Sequence, residues 1–320
     1  MTGLRVENLR TVLRPDTAVV RDVSFAVAPG EVVGLVGESG SGKTLTALSV
    51  AGLLPDAAEV RAGKVFLGDE NLLELPERQR RSRRGAGIAM IYQDPMTALN
   101  PLMTVGAQIS EGLRAHGVSR ADARKRTLEA IEEVRLPRPE ALAKRYPHQL
   151  SGGQRQRVMI AGALAMRPAV LIADEPTTAL DVTVQQQILS LVDELRREHD
   201  LGVLWITHDL GVLAQLADRV LVMYAGRIVE SAGTRAIFAT PRHPYTAGLL
   251  ASIPPTTGAN RPALPQIGGT PPQLSALPAG CPFQPRCRQA VDACQATDPP
   301  LESTVDDHAV ACLVPPERWS

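Results

Sequence analysis

An α/β fold with a parallel sheet covered on both faces is predicted by short, continuously apolar strands that alternate with helical stretches. The strands are EVVGLV (31–36), AVLIA (169–173) and VLWIT (203–207). None alternates polar with apolar residues, as a strand with one wet face would, so each is expected inside a layered sheet. A glycine-rich turn leads from the first strand into the helix TLTALSVAGLL, a helix is expected over about 183–199, and another starts at Asp209.

The remaining segments differ in period. Residues 3–8 and 18–27 read as antiparallel strands at the N-terminus, with alternation visible at Val23, Phe25 and Val27. Between 104 and 135 the apolar positions Ile109, Leu113, Leu128, Ile131 and Val134 recur at helical spacing with no strand between them. About 95–165 is therefore expected as a helical subdomain inserted into the α/β core. After Thr240 the composition shifts: 15 of the 26 prolines and all four cysteines follow it. The expected division is a regular domain over 1–240 and a loop-rich extension over 241–320.

Composition narrows the function classes. A 44 % hydrophobic content suits a sizeable core, and a net charge of zero gives no bulk attraction to nucleic acid or anionic lipid. Aromatics at 3 % are too few for a base-stacking surface, so no nucleic-acid partner is expected. The most apolar stretch, Val158–Ala173, is interrupted by Arg167-Pro168 and too short to span a bilayer. The first ten residues, MTGLRVENLR, hold no apolar signal region, so a cytosolic location is expected unless a partner brings the chain to a membrane.

The chemistry begins at Gly37-Glu38-Ser39-Gly40-Ser41-Gly42-Lys43-Thr44, a phosphate-loop pattern placed after a strand and before a helix. Glycines let backbone N–H groups curl around a β-phosphate, and the helix N-terminus adds its positive end. Lys43 is expected to reach the β- and γ-phosphates and Thr44 to give its hydroxyl to Mg²⁺. With only 4 lysines against 30 arginines, a lysine at this point is informative, because a planar guanidinium would not fit the loop's centre. Downstream, the strand ending Leu171-Ile172-Ala173-Asp174-Glu175 sets Asp174 to organise the Mg²⁺ shell and Glu175 to take a proton from attacking water.

Leu150-Ser151-Gly152-Gly153-Gln154 opens another helix with exposed N–H groups, a second anion site on the same chain. One nucleotide cannot bridge both sites if they lie on separate lobes, so two subunits facing head to tail are expected. This sequence resembles the signature of ABC ATPases, and the resemblance runs over nearly the whole chain. It implies ATP and Mg²⁺ as cofactors and fixes further roles by position. Gln93 matches the glutamine that contacts Mg²⁺ and the lytic water, Asp181 in Ala179-Leu180-Asp181 matches the loop at the dimer interface, and His208 matches the histidine that touches the γ-phosphate. One departure stands out: ABC ATPases stack adenine on an N-terminal aromatic, whereas Leu9–Val20 holds none, leaving Leu13 as the matching position.

Gln93-Asp-Pro-Met-Thr-Ala-Leu-Asn-Pro101, Pro241-Arg-His-Pro-Tyr-Thr-Ala-Gly-Leu-Leu250 and Gly280-Cys-Pro-Phe283 are similar to the dipeptide/oligopeptide importer branch. By resemblance this implies an ATPase powering peptide import, with nickel complexes or other small solutes as the alternative. It also implies a second ATPase subunit, two membrane permeases, an extracytoplasmic solute-binding protein and a peripheral place on the cytoplasmic face of the inner membrane. A soluble repair-type ATPase would carry a coiled coil between loop and signature, and a guanine-nucleotide enzyme would need an Asn-Lys pair; neither is present. Cys281, Cys287, Cys294 and Cys312 lack a close Cys-x-x-Cys pair, which favours one [4Fe–4S] cluster, with zinc or unliganded thiols as alternatives. The surrounding prolines read as too irregular to build an apolar core, and His308 reads as a solvated histidine beside two aspartates.

Overall fold

The computed structural model describes residues 3–92, 98–178, 180–253, 266–303 and 305–319. In chain order the elements are β1 (Leu4–Leu13), β2 (Thr17–Val27), β3 (Val32–Val36), α1 (Lys43–Ala51), β4 (Ala58–Leu67), β5 (Glu70–Asn71), α2 (Glu77–Arg83) and β6 (Ile88–Ile91). Then come α3 (Val105–Ala115), α4 (Arg120–Glu133), α5 (Pro139–Leu142), α6 (Gly152–Leu164), β7 (Val170–Asp174), α7 (Val182–His199) and β8 (Gly202–Thr207). The chain continues through α8 (Leu210–Leu216), β9 (Arg219–Tyr224), β10 (Arg227–Gly233), α9 (Thr234–Ala239), α10 (Pro244–Ala251), α11 (Ala293–Ala296), β11 (Glu302–Ser303) and β12 (Ala309–Val310). Two compact units result: one from Met1–Arg5, Ala26–Val32 and Val65–Ile206, the other from Val6–Phe25, Val33–Lys64 and Thr207–Ser320.

In the first unit β8, β7 and β6 lie side by side and parallel, with Ile88 opposite Val170 and Val170 opposite Gly202. Every residue of β7 and β8 is buried, the outcome expected of strands without alternation. The helical insertion is present as α3 to α6. Side chains stop two of its helices at their N-termini: Thr104 accepts from Ala107 N on α3, and Ser119 from Asp122 N on α4. Helix α3 buries Val105, Ile109 and Leu113. On α4 the buried face is Ala123, Thr127, Ala130 and Ile131, so Leu128, expected at its centre, stands half-buried at its margin. Thr127 is tolerated there because its hydroxyl donates to Ala123 O at 2.7 Å.

In the second unit β2, β1 and β4 lie in one sheet and β3, β9, β10, β12 and β11 in another, each in that spatial order. Strands β4, β9, β10, β11 and β12 are additional to the expected elements. β3 runs parallel to β9, and β9 turns into β10 through Ala225-Gly226, both at positive φ (46° and 84°), the geometry that twists with a two-residue hairpin.

The extension is loop-rich, as expected, but it does build an apolar cluster. Tyr245 and Phe283 are buried, and with Tyr224 they pack at centroid distances of 4.6 to 5.4 Å, inside the range of favourable aromatic pairs. Fixed side chains surrounding one another can make a core without regular strands. His308 also departs from expectation: it is 2 % exposed, and its Nε2 lies 2.7 Å from Glu230 Oε1. Glu230, on β10, is 0 % exposed and accepts as well from Arg242 N (2.6 Å) and His243 N (3.0 Å).

His243 caps α10, its Nδ1 accepting from Tyr245 N at 3.0 Å. Burial, reinforced by Arg227, pushes its pKa down to about 3, so the folded chain holds it neutral. Between the ordinary value of 6.5 and about 3 the unfolded chain binds a proton that the folded one refuses. Stability present above pH 6.5 is therefore lost as pH falls, by up to about 1.4 kcal/mol per pH unit. His243→Asn keeps a capping oxygen without the titration. Urea unfolding at a series of pH values should show a flatter acid limb for this variant than for the wild type.

Candidate functional site

The expected phosphate loop lies in the second unit and has the backbone its sequence requires. Gly40 and Gly42 sit at φ 78° and 105°, conformations that L side chains rarely adopt. A Cβ on Gly37 would meet Met223 O at 2.2 Å and one on Gly42 would meet Val19 O at 2.6 Å, so neighbouring strands close on the loop from two sides. Gly226 N donates to Ser41 O at 2.9 Å, tying the loop to the β9–β10 hairpin.

Polar groups around this loop are poised rather than spent. Lys43 is buried, its Nζ donating to Gly37 O (2.8 Å) and Glu38 O (3.0 Å), so the ammonium already faces the loop interior. Ser41 Oγ is buried with no hydrogen-bond partner among the described residues. A buried hydroxyl left this way is costly unless something arrives to use it. Thr44 is exposed in the first turn of α1, and Ser39 and Gly40 are exposed at the loop's crest. His208, in the same unit, is exposed immediately after β8. Leu13 is half-buried at the end of β1.

Glu38 is held at three points. Its N–H donates to Tyr245 Oη at 2.8 Å, its carbonyl accepts from Lys43, and its carboxylate takes both arms of Arg286 at 2.6 and 2.9 Å. Burial raises the Tyr245 phenol well above its usual range, which keeps it a neutral hydroxyl able to accept. Nothing in the sequence pattern joined Tyr245 or Arg286 to the loop; Tyr245 was visible only within the motif 241–250, and Arg286 within none.

The first unit holds the other expected residues. Asp174 ends β7 at 3 % exposure, and Glu175 follows at φ 46°, its N–H fixed to Ile206 O at 2.9 Å and its Oε2 accepting from Thr178 Oγ1 at 3.1 Å. Positive φ at a glutamate is a strained choice, of the kind found where a side chain must be aimed. Ser151 caps α6 in a reciprocal box with Gln154: Gln154 N donates to Ser151 Oγ at 3.3 Å and Ser151 N to Gln154 Oε1 at 3.1 Å. Ser151 and Gly152 are exposed, and a Cβ on Gly153 would strike Val184 Cγ1 at 2.7 Å. Asp181 caps α7 through Val184 N at 2.9 Å, its residue exposed. Gln93 and Ala179 lie outside the described residues.

Of the four cysteines, Cys294 is buried and the others are half-buried. Cys281 N donates to Cys294 O at 2.9 Å, placing two of them on one doubled-back loop. Burial pushes the thiols of Cys281, Cys287 and Cys312 up, Cys312 to about 11, and neighbouring thiols add to each shift. Among the described residues no three His, Cys, Asp or Glu side chains converge closely enough to hold a single metal ion.

Residues 20–178 match the family model described as ABC transporter, and residues 229–294 match the one described as Oligopeptide/dipeptide transporter, C-terminal region. The oligopeptide transport ATP-binding protein OppD of Salmonella typhimurium is 48 % identical over 319 residues, 98 % of this chain and 94 % of that one. The chain belongs to the oligopeptide/dipeptide branch of ABC transporter ATP-binding proteins. OppD of Mycobacterium tuberculosis is also 48 % identical over 97 % of this chain, which spans about half, 51 %, of that relative's length. Among solved structures, the dimeric post-hydrolysis state of the ATP-binding cassette MJ0796, bound to ADP and Pi, aligns with a TM-score of 0.63 and 28 % identity. That likeness covers 72 % of this ABC protein and 99 % of the other chain. Cassette cbiO1 from Clostridium perfringens aligns at 0.64 over 74 % of this chain and 90 % of its own, with 28 % identity. Among the described residues no helix is long and apolar enough to cross a membrane.

The loop's tightness can be tested without nucleotide. Gly37→Ala drives a methyl group into Met223 O and should destabilise the chain by about 1–3 kcal/mol, read from urea unfolding of variant and wild type.

Proposed function

We propose that this ABC protein hydrolyses ATP to power a peptide importer from the cytoplasmic face of the cell membrane, with a cassette over 1–240 and the extension over 241–320. The observation that carries the reading is the loop over 37–44: closed glycine turns, a buried Lys43 facing inward and a Ser41 hydroxyl awaiting a partner. Backbone amides of the loop up to Gly42, other than the Glu38 amide that Tyr245 holds, and the start of α1 would receive phosphate oxygens, with Lys43 moving from loop carbonyls to the β- and γ-phosphates. Thr44, Asp174 and Gln93 would hold Mg²⁺, which supplies charge neutralisation between those phosphates.

Glu175 would take the proton of the attacking water and His208 would contact the γ-phosphate. Ser151, Gly152, Gly153 and Gln154 present the N-terminus of α6 outward, a second anion site suited to the nucleotide of a facing cassette, with Asp181 at that interface. A second ATPase subunit, most simply a paralogue, completes each site in this reading. Two permeases and an extracytoplasmic solute-binding protein complete the importer, and closure of the cassettes drives alternating access.

The four cysteines would hold a [4Fe–4S] cluster in the extension. In favour stand the number of thiols, the backbone bond from Cys281 N to Cys294 O that brings two of them onto one loop, and the influence of neighbouring thiols on Cys281, Cys287 and Cys312. The cluster's contribution would be to staple the loops that carry Phe283 and Arg286.

Two experiments test these readings. Glu175→Gln in the assembled transporter should retain ATP binding, slow turnover by roughly 10²–10⁴-fold and trap closed cassettes. A wild-type rate would remove Glu175 from its role. Protein purified without oxygen should be brown with about four irons per chain. Colourless protein with stoichiometric zinc would replace iron by zinc, and Cys→Ser variants of unchanged metal content would dismiss both.

A further inference from the structure

Glu38 is an awkward residue for a phosphate loop. Its carboxylate stands within a loop built to receive a polyanion, where an uncompensated negative charge repels the ligand. The structure answers this with a side chain 248 residues away. Arg286, its side chain 4 % exposed, places Nη1 2.6 Å and Nη2 2.9 Å from the two carboxylate oxygens, a planar fork on a planar acceptor.

The fork is itself braced. Arg286 Nε donates to Gly268 O at 2.9 Å, Nη1 reaches Tyr224 Oη at 3.4 Å, and the guanidinium lies 5.8 and 6.0 Å from the rings of Tyr224 and Phe283. Tyr245, also in the extension, takes the Glu38 N–H, so this amide turns away from the loop's interior. The Glu38 carbonyl in turn receives Lys43. One loop residue thus carries the neutralising charge, a fixed peptide orientation and the resting position of the phosphate-binding lysine.

We propose that Arg286 and Tyr245 are positioning residues of the phosphate loop, through which the extension sets the affinity for ATP. The proposal rests on the phosphate-loop reading above. Arg286 neutralises Glu38 and thereby lets the polyphosphate approach; Tyr245 holds the 37–38 peptide so that Lys43 can leave its carbonyls without the loop collapsing. Cys287 follows Arg286 directly, so any change in what the thiols bind is one peptide bond from this clamp.

The test uses full-length chain and a fluorescent ATP analogue at low and high salt, with urea unfolding run in parallel. Arg286→Gln should raise the Kd by at least about fivefold at low salt, the lower range of coupling between sites. Adding Glu38→Gln should restore most of the loss, because the exposed carboxylate disappears with it. Arg286→Lys should recover only part, since a point charge cannot make the fork. Tyr245→Phe, which keeps the ring and its packing, should raise the Kd while leaving the unfolding midpoint close to wild type, and in the assembled transporter KM for ATP should rise more than kcat falls.

Wild-type affinity in both Arg286→Gln and Tyr245→Phe overturns the clamp, as does a double variant that binds no better than Arg286→Gln. Lys43→Ala separates the layers. If it loses ATP while Arg286→Gln and Tyr245→Phe bind normally, the clamp alone is wrong; if it binds ATP as the wild type does, the phosphate-loop reading falls and the clamp with it.

Discussion

A carboxylate with no solvent exposure governs the second unit. Glu230 could not remain in the interior as an isolated charge, because burying one costs several kcal/mol unless hydrogen bonds replace the water. It is answered by the N–H groups of Arg242 and His243 and by the ring of His308. Those three partners come from the turn before α10 and from the stretch around His308. The need to satisfy one acid therefore anchors the stretch around His243 and the stretch around His308 to β10. Between those two fixed points Tyr245 and Phe283 reach Tyr224 on β9.

From there the consequence runs to the glycine-rich loop. β9 supplies Met223, whose carbonyl limits Gly37, and the hairpin after it supplies Gly226, which ties Ser41. The same aromatic cluster supports Arg286 and Tyr245 against Glu38. A chain of contacts leads from a buried acid on β10 to the backbone of the glycine-rich loop over 37–42, each link a hydrogen bond or a ring contact with a distance on it. Such contiguity supplies the physical route that coupling between distant groups requires.

Local features of the sequence were legible because they obey short-range rules. The turn at 37–42 needs glycines where φ is positive, and Ser151 with Gln154 three residues on is a helix start readable in any chain. Continuous apolar runs announced β7 and β8. What the sequence hid was long-range: Arg286 with Glu38, and His308 with Glu230, are 248 and 78 residues apart. Long-range polar contacts leave no period in a sequence, so His308 read as solvated and the prolines around Cys281 as too irregular to build an apolar core. β9 and β10 escaped notice because the turn between them, Ala225-Gly226, lacks the asparagine or aspartate that usually signals a two-residue hairpin. Thr127 took a core place from Leu128 because a threonine can satisfy its own hydroxyl within the helix.

The antiparallel pairing of β12 on β10, with Glu230 opposite Val310 and Ser231 opposite Ala309, has a practical corollary. A chain ended after Thr240 would keep the regions that resemble a minimal cassette, yet it would leave β10 as a raw border of unpaired amides and carbonyls with an uncompensated acid behind it. Such borders recruit other strands, and self-association follows. The extension is thus a selvedge, the woven margin that stops the fabric from fraying.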